Sequence, residues 1–166
     1  MTDEDVRHSN DTASTRARAL QSGAMQPSIF TRIIDGEIPG RVVWSDELCI
    51  AMVDIRPLSR GHCLVIPRVQ VDQWTDLDAD LVTHLMRVAH NIANAQKAAF
   101  SPARVGLLVA GFEVPHTHLH IVPLNNMADL DFAQADEHAS AEDLDDVATT
   151  MRATLTELGF SEAVAG

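Results

Sequence analysis

Apolar positions along the chain follow two different periods, and the changes between them divide it into elements. Residues 1–26 are rich in Ser, Thr, Asp, Arg and Gln without apolar periodicity, which predicts a flexible N-terminal tail. From Pro27 the pattern begins. Ser28 is suited to cap a short helix with Ile29, Phe30, Ile33 and Ile34 on its inner side and Gly36 at the stop position. Three β-branched or apolar runs follow at residues 41–44, 48–53 and 62–67, separated by polar segments at 45–47 and 56–61. Thr75 and Asp78 offer capping side chains, after which Leu81, Leu85, Val88, Ile92, Ala95 and Ala99 recur at spacings of four and three and predict the longest helix. Residues 105–110 and 116–122 read as two further strands. Ser140 and Asp143 open a last helix, to Leu158, that carries Leu144, Val147, Met151 and Leu155. The order α-β-β-β-α-β-β-α, with strands in runs joined by short turns, predicts an α+β fold: an antiparallel five-stranded sheet with packed helices.

With 166 residues the chain has room for one domain plus tails, and its 46% apolar content supports a buried core. Net charge is −12, and ten acidic residues against Arg152 alone lie beyond residue 125, so residues 125–166 form an acidic C-terminal segment containing the last helix. So acidic a surface disfavours nucleic acid and anionic membranes as partners. Cys49 and Cys63 sit in apolar runs outside any metal-ligand spacing and read as buried reduced thiols. No apolar run approaches the length of a membrane span and no targeting segment is recognisable, which together predict a cytoplasmic location.

The chemistry concentrates in Pro115-His116-Thr117-His118-Leu119-His120-Ile121-Val122-Pro123. On a strand of period two, three imidazoles project from one face about 6.5 Å apart while Leu119 and Ile121 face the core. A row of histidines suits nucleophilic catalysis at phosphorus, since a neutral imidazole can attack while its neighbours stabilise charge. A metal site built on His116 and His118 is the alternative, with Asp54, His62 or Glu113 as the third ligand.

That stretch resembles the signature of the histidine triad (HIT) superfamily, with Thr117 as its one polar departure. Residues 28–39 (SIFTRIIDGEIP), Asp54-Ile55-Arg56-Pro57 and Gly61-His62-Cys63-Leu64-Val65-Ile66-Pro67 are similar to the superfamily's other landmarks, in the same order. The likeness covers about residues 28–124 and is to the nucleotide-binding branch, small actinobacterial HIT-like proteins in particular. A HIT domain over residues 27–124 is therefore expected. The resemblance implies a sheet extended across a homodimer, and hydrolysis of nucleoside 5'-phosphoramidates through a nucleotidyl-histidine intermediate without metal or other cofactor. On that reading His118 is the nucleophile. His120 and His62 line the α-phosphate, and His116 orients His118 or relays protons. Asp54 takes the ribose diol, and Ile29, Phe30, Ile55 and Leu64, with Val114 beside them, form the slot for a purine. Each also has a purely structural reading: Asp54 as a turn residue, His62 as a strand-end cap, the apolar residues as core.

The chain departs from the family pattern in three places. Many bacterial members hold zinc with a Cys-x-x-Cys pair and downstream histidines, whereas Ser28, Thr31 and Gln70 stand here, implying no structural zinc. Phe112 and Glu113 occupy the stretch that usually assists the leaving group, so Glu113 becomes the polar residue there, expected to attract cationic amines and repel polyphosphate. An upstream asparagine is replaced within residues 107–110. Three functions remain open: a phosphoramidate hydrolase, a nucleotide-binding regulatory protein with little turnover, and a dinucleoside polyphosphate hydrolase. The acidic C-terminal helix is expected to pack on the HIT domain or on a dimer partner.

Overall fold

A computed structural model describes residues 26–160, so the tail expected at the N-terminus, apart from Gln26, lies outside the described residues. Within them the order of elements is α1 (Ile29–Ile34), β1 (Val42–Ser45), β2 (Cys49–Val53), β3 (Cys63–Pro67), α2 (Ala79–Phe100), β4 (Arg104–Val109), β5 (Leu119–Leu124) and α3 (Ala141–Glu157). The strands form one antiparallel sheet in the order β1-β2-β3-β5-β4. Most of the local signals act where they are expected, but Thr75, expected to cap the long helix with Asp78, lies in a separate 3-10 turn at Trp74–Asp76 and Asp78 caps alone. The Ser28 side chain accepts from Thr31 N–H, Asp78 caps α2, Ser140 caps α3, and Gly36 has φ of +76° just past α1.

Alternation along the strands separates two apolar layers. Val43, Cys49, Ala51, Val53, Cys63, Val65, Leu119 and Ile121 meet Leu85, Val88 and Ile92 of α2 and Val147, Met151 and Leu155 of α3. Ile50, Met52, Leu64 and Ile66 face the other way, toward Phe30 of α1. The C-terminal helix thus lies on the sheet of its own chain, with Arg152 donating to Val42 O at 2.8 and 3.0 Å. Both thiols are free and buried within the first layer, and burial pushes the Cys63 thiol up to about 12, which keeps it unreactive.

The second layer positions the site. Met52 pairs with Leu64, Leu64 with His120, and His120 with Leu108, so His120 stands in a row of side chains on the face away from the two long helices. Gly61, at φ +94°, begins the run into β3. A Cβ there would lie 2.6 Å from the Phe100 ring, so both conformation and space call for glycine.

Candidate active site

The expected strand over residues 116–122 is observed as Leu119–Leu124, and His116 and His118 precede it. Two prolines account for the difference. Pro67 ends β3 without an N–H to continue the ladder, and its carbonyl oxygen accepts instead from the His116 ring, 2.8 Å from Nε2. After Pro115 the chain turns, with His116 N–H on Val114 O at 2.8 Å and Thr117 N–H on Val71 O at 2.7 Å. All three histidines are buried rather than displayed on an open face, and the His116 ring is fully enclosed.

Hydrogen bonding assigns a tautomer to each ring. A carbonyl can only accept, so His116 carries its proton on Nε2, and Nδ1 accepts from the Ser28 hydroxyl at 2.8 Å. Burial, foremost, lowers its pKa and keeps the ring neutral. His118 Nδ1 donates to His116 O at 2.8 Å, which leaves the Nε2 lone pair free, and no bond from Nε2 occurs among the described residues. The His116 backbone, not its ring, therefore orients His118. His62 shows the opposite arrangement. Its Nδ1 accepts from Leu58 N–H at 3.1 Å, so its Nε2–H donates to His120 Nδ1 at 3.0 Å and the remaining proton of His120 sits on Nε2. Burial first, and then the neighbouring imidazoles, push His62 and His120 down to about 4, so both are neutral at pH 7. The His118 and His120 rings are 4.9 Å apart, a free lone pair on one and an N–H on the other.

These two rings form the floor of a cavity of about 710 Å³ whose wall includes Ile29, Phe30, Asp54, Ile55, Leu64, Glu113 and Val114. Nine of the residues expected at the site thus share one cavity; His62 lies behind His120, and His116 lies behind Phe30 at 5.9 Å between ring centroids. Burial raises the pKa of Asp54, whose Oδ1 accepts from Arg56 N–H at 2.9 Å. The Glu113 carboxylate is ion-paired with the Arg56 guanidinium at the rim, so its charge is compensated rather than free for a cationic amine. Ala148, Thr149 and Arg152 of α3 close the far end.

The donor chemistry of the Ser28, Thr31 and Gln70 cluster does not fit zinc. Ser28, Thr31 and Gln70 bond to one another and to His116: Thr31 Oγ1–H donates to Gln70 Oε1 at 2.7 Å and Ser28 N–H to the same oxygen at 2.9 Å. These are neutral oxygen donors without a thiolate, and both His116 nitrogens are occupied. With both of its nitrogens engaged, His116 offers no free lone pair for a metal shared with His118. Asp54, His62 and His120 lie within ligand reach of one another, yet both nitrogens of His62 and Nδ1 of His120 are committed to hydrogen bonds.

The family model for the HIT domain matches residues 35–127. The chain belongs to the HIT domain family. This HIT protein is 33% identical over 110 residues to the adenylylsulfatase HINT3 of Arabidopsis thaliana, a match covering 63% of this chain and 56% of that one. Its fold matches that of a hypothetical histidine triad nucleotide-binding protein from Sulfolobus tokodaii, at a TM-score of 0.69, 27% identity and coverage of 78% of this chain and 92% of that chain. It also matches a zinc-bound histidine triad family protein from Mycobacterium smegmatis, at a TM-score of 0.68, 27% identity and coverage of 80% and 96%. Three further residues contribute to the site or its support beyond those singled out by spacing. They are Arg56, paired with Glu113, Gln96, whose amide donates to Gly61 O and Ile121 O, and Phe132, whose ring stands 5.1 Å from that of His120. Only Arg56 had a signal available, its place in the Asp54-Ile55-Arg56-Pro57 landmark.

Proposed function

We propose that this HIT protein hydrolyses nucleoside 5'-phosphoramidates through a nucleotidyl intermediate on His118. The observation that carries the reading is the pairing of opposite tautomers, a nucleophilic lone pair on His118 Nε2 beside a hydrogen-bond donor on His120 Nε2, at the floor of an apolar cavity. The apolar slot suits a purine, and Asp54 at its edge suits the ribose hydroxyls. Nε2 of His118 attacks the α-phosphorus, the P–N bond breaks, and the amine leaves after taking a proton from water at the open mouth. Water then attacks phosphorus, the P–Nε2 bond breaks, a proton returns to solvent and the nucleoside monophosphate departs. His120 donates to a non-bridging oxygen as charge builds there, a stabilisation that needs no rearrangement of the site. His62 holds the tautomer of His120, and His116 holds the ring of His118 through its carbonyl oxygen.

A homodimer joined along β4 is part of the reading. β4 is one of the two edges of the sheet, and beside it Trp74, Met86 and Leu107 are each about half exposed around an apolar hollow of about 440 Å³. The test of the chemistry is AMP release from an AMP amide by wild type and His118→Ala. Loss of at least three orders of magnitude in rate with AMP affinity within threefold supports the assignment. More than a tenth of wild-type rate in the variant removes His118 from the role. Tight AMP binding by wild type without turnover favours the regulatory reading, which the altered Phe112 and Glu113 keep open.

A further inference from the structure

His118 and His120 also border a second cavity, of about 400 Å³, on the other side of the Arg56–Glu113 ion pair. Apart from the groups shared with the larger cavity its wall is apolar: Leu108 from β4, Gly111 and Phe112 from the loop before the triad, and Phe132 and Ala135 from the segment after β5. The segment is held in place. Asn126 and Asp129 cap its first turn, Asp131 Oδ1 accepts from Ala133 N–H at 3.0 Å, and Asp136 N–H reaches back to Pro57 O at 3.0 Å. These bonds set the Phe132 ring edge-on to His120. Phe112, across the same cavity, is 97% exposed, an aromatic side chain with its surface left to water.

The larger cavity already has room for a nucleoside, and the two cavities meet at the imidazoles where phosphorus would be attacked. We infer that the smaller cavity is the leaving-group subsite, and that it takes amines bearing an aromatic or bulky apolar group. This rests on the proposed hydrolysis and names its substrate class. Phe132 and Phe112 offer ring faces and edges to such a group, and burying it between them removes apolar surface of both partners from water. A cationic amine gains little by comparison, since the Glu113 carboxylate at the boundary is already paired with Arg56. The expectation that Glu113 draws cationic leaving groups is replaced by selection on apolar surface.

The experiment compares kcat/KM for three AMP amides, those of ethylamine, 2-phenylethylamine and the side-chain amine of lysine, in wild type, Phe132→Ala and Ala135→Phe. 2-Phenylethylamine is the less basic of the first two, so the subsite is read from the change in their ratio between wild type and the variants, across which the P–N chemistry is the same. The phenylethyl amide is expected to exceed the ethyl and lysyl amides at least tenfold in wild type. The phenylethyl-to-ethyl ratio should fall below threefold in Phe132→Ala, which removes the wall, and in Ala135→Phe, which fills the space. Two variants are used so that misfolding of one leaves the other to decide. Equal rates for the three amides, a lysyl preference, or a ratio that persists in the folded variants overturns the inference while the hydrolysis itself stands. Absence of turnover with every amide overturns the hydrolysis and the inference together.

Discussion

Acidification from pH 7 to pH 5 should weaken the fold through the buried His62–His120 pair. Both rings have folded-state values near 4, against about 6.5 for an exposed imidazole. Above pH 6.5 the rings are neutral in folded and unfolded chains alike, and the full stability is present. As pH falls from 6.5 toward 4 the unfolded chain takes up protons that the folded one refuses, and stability is lost. For one such ring the loss between pH 7 and pH 5 is about 2 kcal/mol. The two rings share a hydrogen bond at 3.0 Å, so a proton on one opposes a proton on the other and the pair counts as one proton. The assay is urea unfolding at pH 7 and pH 5, for wild type and for His62→Gln/His120→Asn, which keeps polar side chains at both positions but removes their titration. With a urea dependence of about 2 kcal/mol per molar, the wild-type midpoint should fall about 1 M further than that of the double variant. Equal displacement of the two midpoints would refute a neutral buried pair.

Ser28→Ala removes the hydroxyl that satisfies His116 Nδ1 and should cost about 1–3 kcal/mol in unfolding free energy, with Ser28→Thr recovering part of it. A change below 0.5 kcal/mol, on the order of experimental scatter, would mean the ring finds another partner. Light scattering at micromolar concentration should give about twice the chain mass of 18.1 kDa, and Leu107→Lys on β4 should shift the protein toward half that value. A wild-type monomer at that concentration contradicts the dimer.

Element type and order were legible because each strand and helix carries its own period. Leu64 and His120 share a face for the reason that pattern gives, and α2 carries its buried residues where spacings of three and four put them. The triad strand starts later than alternation predicts, because alternation is blind to pairing and Pro67 lacks the donor that a longer pairing needs. The Ser28–Thr31–Gln70 cluster was visible as three departures from a pattern, but its hydrogen bonds to one another depend on residues 42 positions apart meeting in space. Phe132 had no sequence signal. It lies among acidic and small residues in a segment without apolar periodicity, and its role follows from where three local caps hold the backbone.

The chain of hydrogen bonds through His62 and His120 begins at a peptide group, Leu58 N–H. Which nitrogen of His120 bears hydrogen is thus written in the main chain of the loop between β2 and β3. Main-chain information has its own genetics: the side chain at position 58 can change and still transmit the same proton arrangement, as long as the loop keeps its path and position 58 keeps an N–H. Proline at that one position is the exception, because it alone among the common residues deletes the donor. Replacement of the Leu58 side chain is therefore compatible with an unchanged proton arrangement at His120.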